Sequence, residues 1–209
     1  MTKVLSRRSV GLERLQTLAT AASYDVKPSV FYFLRHGETD GNKTRVFQAP
    51  DQPLNETGLA QADTAAEALA LHPIERIVAS DWNRAATTAS VVGERLELTV
   101  EHFDGLRERF FGDWIGTSSA VLDWSKEPPG GEWLGDFVKR VRNGVAEALA
   151  SEQSTLLVSH GGPLLVLMAS LRVEPPEAAL GNAAPLKFEK QTTGWTVTPL
   201  LESKDAPVA

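Results

Sequence analysis

The sequence predicts an α/β fold, a three-layer sandwich in which helices flank a mostly parallel central sheet. Short β-prone runs alternate with segments whose apolar residues recur at helical spacing, the order expected of strands joined by helical crossovers. One such run, at 155–159, is all apolar at its centre, as in a strand buried on both faces. With 209 residues, 42% of them hydrophobic, and no cysteine, the chain can bury one core of ordinary size without covalent staples.

Residues 30–34 read as a strand that ends abruptly in Arg-His-Gly. Asn55, Glu56 and Thr57 open a helix carrying Leu59, Ala62, Ala66 and Leu69 on one face, which stops at His72-Pro73. Residues 74–79 form a second strand, and Ser80 or Asp81 is placed to cap a helix over 82–96. A third strand is expected at 98–100. The stretch 104–132, rich in glycine and aromatic residues, reads as an irregular excursion. Helical spacing returns over 133–150, followed by an apolar strand at 155–159. Gly161-Gly162-Pro163 then opens a helix through Leu171, with Pro163 in the first turn, where no N–H is needed. Residues 186–188 and 195–197 close as a hairpin turning near Thr193-Gly194. The reading is one domain over 30–200, with an extension at 1–29 and a tail at 201–209.

Lys3, Arg7, Arg8 and Arg14 make the extension basic on a protein whose net charge is -6. Ser6-Arg7-Arg8-Ser9 has the look of a twin-arginine export signal. Glu13, Arg14 and Gln16 interrupt the apolar stretch such a signal needs, so the cytoplasm is the expected location. Leu12, Leu15, Leu18, Ala19 and Ala22 share a helical face, which predicts that the extension packs on the domain. The acidic balance disfavours nucleic acid and anionic membranes as partners. No apolar run approaches the roughly 20 residues that span a bilayer. A homodimer is left open.

Sites in open α/β sheets gather where strands end. Two strand ends deliver histidine beside glycine, Arg35-His36-Gly37 and Ser159-His160-Gly161-Gly162. A third leads through Ser80-Asp81-Trp82-Asn83 to Arg84, and the next strand continues to Leu106-Arg107-Glu108. His36, His160, Arg35, Arg84 and Glu108 together suit phosphoryl transfer to an imidazole. A histidine can attack phosphorus and hold the phosphoryl group. Arginines grip its oxygens with charge-assisted bonds, and a second histidine can donate to them as the group flattens. A carboxylic acid can protonate the leaving alkoxide, typically worth ~10²–10⁴-fold in rate. Taken singly, such residues are usually structural or solvated, and His72 and His102 keep that duller reading. Walker A, dinucleotide-binding and HExxH patterns are lacking, and no G-x-S-x-G accompanies His160-Gly161-Gly162. Neither a metal nor an organic cofactor is expected.

Leu34-Arg35-His36-Gly37-Glu38-Thr39 followed by Asn42 resembles the signature of the histidine phosphatase superfamily, which is phosphoglycerate mutase-like in fold. The resemblance continues through Thr57-Gly58, Ser80-Asp81 with Arg84-Ala85, Leu106-Arg107-Glu108 with Phe111-Gly112, and Ser159-His160-Gly161-Gly162. It implies that His36 is the nucleophile, that Arg35, Arg84 and His160 clamp the phosphoryl group, and that Glu108 is the proton donor. Asn42, Gly37 and Gly161 would line the pocket. The arginine common four residues beyond the asparagine is replaced by Val46, which makes Arg45, one step earlier, a candidate substrate contact. Ala49 stands where glycine is common.

The implied activity is hydrolysis of a small phosphorylated metabolite through a phosphohistidine. Mutase-type transfer and a catalytically weak phospho-ligand binding protein are the alternatives. Mutases of the superfamily carry added Arg and Lys in a longer insertion. Here residues 110–133 offer only Lys126 against Asp113, Asp123, Glu127 and Glu132. An acidic wall is therefore expected, together with a leaving group that is neutral or partly apolar. Trp114, Trp124 and Trp133 are candidates for a substrate lid or for core packing.

Overall fold

A computed structural model describes residues 9–120, 122–176 and 179–201. Residues 6–8 of the twin-arginine-like motif and the tail from 202 lie outside the described residues. In chain order the elements are β1 (Ser9–Val10), α1 (Leu12–Thr20), β2 (Val30–Arg35), α2 (Asp40–Thr44), α3 (Glu56–Leu69), β3 (Arg76–Ala79), α4 (Asn83–Leu96) and β4 (Val100–His102). There follow β5 (Leu122–Asp123), α5 (Leu134–Ala148), β6 (Thr155–Ser159), α6 (Gly161–Leu171), β7 (Pro185–Gln191) and β8 (Gly194–Pro199).

The main sheet has six strands in the order β4-β3-β6-β2-β7-β8. The first four run parallel, and the β7–β8 hairpin adds antiparallel to β2. This is the predicted mostly parallel sheet flanked by helices. β6 is buried along its whole length, as its apolar run required. Alternate side chains of β2 serve two cores, as the two-residue period of a strand dictates. Phe31 and Phe33 join a cluster with Phe137, Val141 and Leu164 from α5 and α6. Tyr32 and Leu34 join another with Ala65, Leu69, Ala89 and Val92 from α3 and α4.

The second strand is Arg76–Ala79 rather than 74–79 and α5 is Leu134–Ala148 rather than 133–150, and two further differences have physical reasons. The third strand is Val100–His102 rather than 98–100, because Glu97 closes α4 in a left-handed conformation and the Leu98 N–H still bonds Gly93. Neither Ser80 nor Asp81 caps α4, which starts at Trp82 without a side-chain cap. The Ser80 hydroxyl is engaged with His160 and the Asp81 carboxylate with Arg107.

The excursion contains two 3₁₀ turns, Asp104–Leu106 and Gly112–Trp114, and the short strand β5. β5 pairs in parallel with β1 in a separate two-stranded sheet. The extension packs as its periodicity predicts, with Leu15 and Ala19 buried on the α5/α6 side, whereas Ala22 lies past the helix and is exposed. Gly105 approaches Gly144 of α5 so closely that a Cβ on Gly144 would sit 2.7 Å from the Gly105 Cα. That contact presses the chain leading to Glu108 against α5. Among the described residues no helix is long and apolar enough to cross a membrane.

Candidate active site

His36 follows β2 directly, and its N–H extends the ladder by donating to the Ser159 carbonyl at 2.9 Å. The ring is 3% exposed. Its Nδ1 lies 2.7 Å from the Gly37 carbonyl, which can only accept, so the proton sits on Nδ1 and Nε2 keeps its lone pair. Arg84 Nε donates to that Nε2 at 3.3 Å. Burial, reinforced by the Arg84 and Arg35 charges, holds the imidazole well below its ordinary pKa. The result is a neutral imidazole with an oriented, unprotonated Nε2.

His160 follows β6 and stands at the N-terminus of α6, its ring centroid 5.2 Å from that of His36. Its Nε2 is 2.9 Å from Ser80 Oγ. With Ser80 Oγ donating to Nε2, the His160 proton sits on Nδ1. That Nδ1 is buried with no protein partner, as is Arg35 Nε. Two buried donors without acceptors mark a place for anionic oxygens. Burial first, then Arg84 and His36, also pushes the His160 pKa well down.

The cations are fixed by backbone contacts. Arg84 donates to the Ala49 carbonyl at 3.0 Å and lies 5.0 Å from the Trp82 ring, while Arg35 donates to the Leu180 carbonyl. Burial lowers the Arg84 pKa to about 10, which leaves it charged at neutrality. Gly37 N–H donates to Thr88 of α4, whose hydroxyl donates to the Arg84 carbonyl. From the other side, Asn182 donates to the His36 carbonyl and to Asn42 Oδ1, each at 3.1 Å. Asn42 in turn closes a capping box with Thr39 at the start of α2.

The Glu108 carboxylate accepts two backbone N–H groups at 2.9 Å, from Arg109 and from Gly162 in the first turn of α6. A Cβ on Gly162 would meet Glu108 Oε1 at 2.1 Å, so this approach requires glycine. Arg109 is fully buried beneath it, paired with Glu127 and donating to the carbonyls of Lys126 and Glu132.

These groups surround a pocket of about 240 Å³. Of the sequence-predicted residues, Arg35, His36, Asn42, Arg84, Glu108 and Gly161 line it. His160 is not among the lining residues, its ring centroid 5.2 Å from that of His36, and Gly37 is packed against Gly58. Arg45 is exposed in a left-handed conformation at the end of α2, and Val46 lines the pocket in its place. The acidic wall is corrected: residues 110–133 contribute Phe111, Ser119, Leu122 and Trp124 to the lining and none of their carboxylates. Glu127 is held by Arg109 and Arg14, Glu132 by Arg140, and Asp123 by Ser125 and Lys126. Of the three tryptophans considered for a lid, Trp124 lines the pocket, Trp114 packs near Phe47 and Trp133 is 67% exposed. Phe47 and Leu180 complete an apolar rim that no local motif announces. Among the described residues no cluster of three or more His, Asp or Glu is arranged to hold a metal ion.

The two neutral histidines carry a stability signature. In the unfolded chain each binds a proton near its ordinary value of 6.5, and in the fold only well below it. Below that pH the unfolded state therefore binds more protons. Their contribution is intact above about pH 6.5 and is lost as pH falls through the depressed folded values, by up to about 3 kcal/mol per pH unit for two protons. Imidazole NMR resonances checks this: those of His36 and His160 are expected to stay unshifted from about pH 8 to about pH 6.5. A titration midpoint within that range would contradict it.

Comparison with known proteins agrees with this geometry. Residues 31–200 match the histidine phosphatase superfamily (branch 1). Agropine synthesis reductase of Rhizobium rhizogenes is 36% identical over 178 residues, 80% of this chain; the match spans 41% of that relative's length. Glucosyl-3-phosphoglycerate phosphatase of Mycobacterium tuberculosis is 38% identical over 188 residues, covering 78% of this chain and 84% of that protein. A solved structure of mycobacterial glucosyl-3-phosphoglycerate phosphatase with VO3 is similar at TM-score 0.68 and 30% identity, over 83% of this chain and 98% of its own. By this match and these likenesses, the chain belongs to the histidine phosphatase superfamily, branch 1.

Proposed function

We propose that the chain hydrolyses phosphate monoesters of small metabolites through a phosphohistidine formed on His36 Nε2. The observation that carries this reading is the neutral His36 imidazole, its Nε2 lone pair turned toward Arg84 beside a pocket that also holds Arg35 and Glu108. The P–N bond forms as the P–O bond to the leaving group breaks, and Glu108 gives its proton to the departing alkoxide. Glu108 then takes a proton from water, whose oxygen attacks phosphorus. The P–N bond breaks, the electron pair returns to Nε2, and inorganic phosphate leaves. Arg35, Arg84 and the Nδ1–H of His160 hold the non-bridging oxygens throughout, where charge develops in the transition state. Asn42, with Gly161, borders the substrate, and Arg45 acts from outside the pocket through its charge.

The leaving group would face Phe47, Phe111, Leu122, Trp124, Leu165 and Leu180, and among the described residues no cation other than Arg35 and Arg84 lines the pocket. This supports a leaving group that is neutral or partly apolar. A relative named glucosyl-3-phosphoglycerate phosphatase is the reason to include that ester in the panel beside neutral and apolar ones, against which the apolar wall should disfavour it. The domain reading stays as stated, with catalysis in 30–200. The net charge of -6 and the interrupted apolar segment after Arg8 support a small-molecule partner and a cytoplasmic location.

The test is turnover of a panel of monoesters by purified protein in excess EDTA. Release of inorganic phosphate that survives the chelator is expected. No turnover on any ester would overturn the reading in favour of a phospho-ligand binding protein, and phosphate returned to a second hydroxyl would make it a mutase.

A further inference from the structure

We propose that the segment from Ser9 to Arg14 is a specificity element: it fastens the apolar wall of the pocket and so sets how tightly the leaving group is held. The inference rests on the site being the phosphate-ester pocket described above. The wall residues Leu122 and Trp124 belong to the excursion, which has little regular structure to hold it. Their partner is β1, whose Ser9 and Val10 pair with Leu122 and Asp123. Trp124 N–H donates to the Val10 carbonyl at 2.8 Å, so both wall residues are bound to the extension through backbone.

The next residues add to the fastening. Gly11 is in the left-handed region, and a Cβ there would stand 2.6 Å from the Ser125 nitrogen, so the chain crosses the excursion where only glycine fits. Arg14 donates to the Ser125 carbonyl at 2.6 Å and pairs with Glu127 at 3.1 Å. Glu127 also accepts the Leu134 N–H and pairs with the buried Arg109. α1 anchors the segment at its far end by burying Leu15 and Ala19. These residues lie outside the matched span 31–200, so the superfamily's shared core does not account for them. None of them lines the pocket. They act through Leu122 and Trp124, as positioning residues.

The phosphate grip comes from Arg35 of β2, Arg84 of α4 and His160 before α6, whereas the segment's bonds to the rest of the chain go to Leu122, Trp124, Ser125 and Glu127. Disturbing it should therefore weaken what the wall holds and spare what the arginines hold. The experiment compares the full-length chain with Arg14→Ala and Gly11→Val, measuring binding of benzylphosphonate and of inorganic phosphate by calorimetry. The expected result is benzylphosphonate weakened about tenfold, the scale of a displaced apolar contact, with phosphate within about twofold of the unaltered chain. For benzyl phosphate as substrate, KM should rise by the same factor with kcat held. Parallel loss of both ligands, or no loss of either, would overturn the proposal. Arg14→Ala alters an exposed side chain and tests the idea without the backbone strain that Gly11→Val imposes. Should the unaltered chain turn over no ester, the hydrolase reading falls, and the phosphonate-to-phosphate ratio still decides this one.

Discussion

His36→Ala is expected to lower kcat/KM for every phosphomonoester by about 10⁴-fold or more, the scale seen when a covalent nucleophile is removed and only binding and electrostatics remain. The loss should be the same for good and poor leaving groups, because both pass through the P–N bond that the variant cannot make. Rapid quenching at alkaline pH, where phosphohistidine persists, should trap a phosphorylated protein in the unaltered chain and none in the variant. Circular dichroism should remain unchanged, since the backbone of residue 36 is held by Ser159, Asn182 and Ala183 rather than by its ring. Retained turnover would mean that another group attacks phosphorus. His160, with its ring 5.2 Å away, would be the first to replace.

Glu108→Gln separates chemistry from binding in a different way. An amide cannot give a proton to an alkoxide, so alkyl phosphates should slow by about 10³-fold, while p-nitrophenyl phosphate, whose leaving group departs as a stable anion, should slow by about tenfold or less. Part of the second loss has a structural origin. The native carboxylate accepts the N–H groups of both Arg109 and Gly162, and glutamine has one oxygen to offer them. One of those donors would face an NH₂ group and lose its partner, which costs about 1–3 kcal/mol where water cannot replace it. A modest fall in melting temperature should accompany the kinetic change. Equal losses on alkyl and p-nitrophenyl esters would contradict the role given to Glu108.

The sheet and most of the polar floor of the pocket were legible because their signals are local. An apolar run such as Leu156-Leu157-Val158, or a histidine between a strand end and glycine, states its place within a few residues. Strand order brought those ends together, so Arg35, His36, Arg84 and Glu108 meet around one cavity although they span more than seventy positions of sequence. The apolar rim was not legible. Leu180 stands in irregular chain where no periodicity marks a face, and Leu122 lies in β5, which like β1 has two residues, too short for any pattern. Their pairing joins Ser9 to Leu122, a contact set by tertiary packing alone. The acidic wall failed for a related reason. Composition reports charges but not their partners, and Arg109, Arg140 and Arg14 take up Glu127 and Glu132 away from the cavity. The missing cap on α4 is another case, since Ser80 was drawn from the helix to His160.

The glycine contact between Gly105 and Gly144 separates two classes of local stability. His36 sits at the centre of the sheet, its amide bonded to Ser159, and should exchange its hydrogen for deuterium only when the whole molecule opens. Glu108 is carried by a loop that rests on α5 at that glycine pair, and a loop with few ladder bonds can lift while the sheet stays closed. On warming, the proton donor should therefore depart before the nucleophile does. Heat would first leave a protein that is folded, still binds phosphate and can still be phosphorylated by an activated ester, but no longer expels an alkoxide.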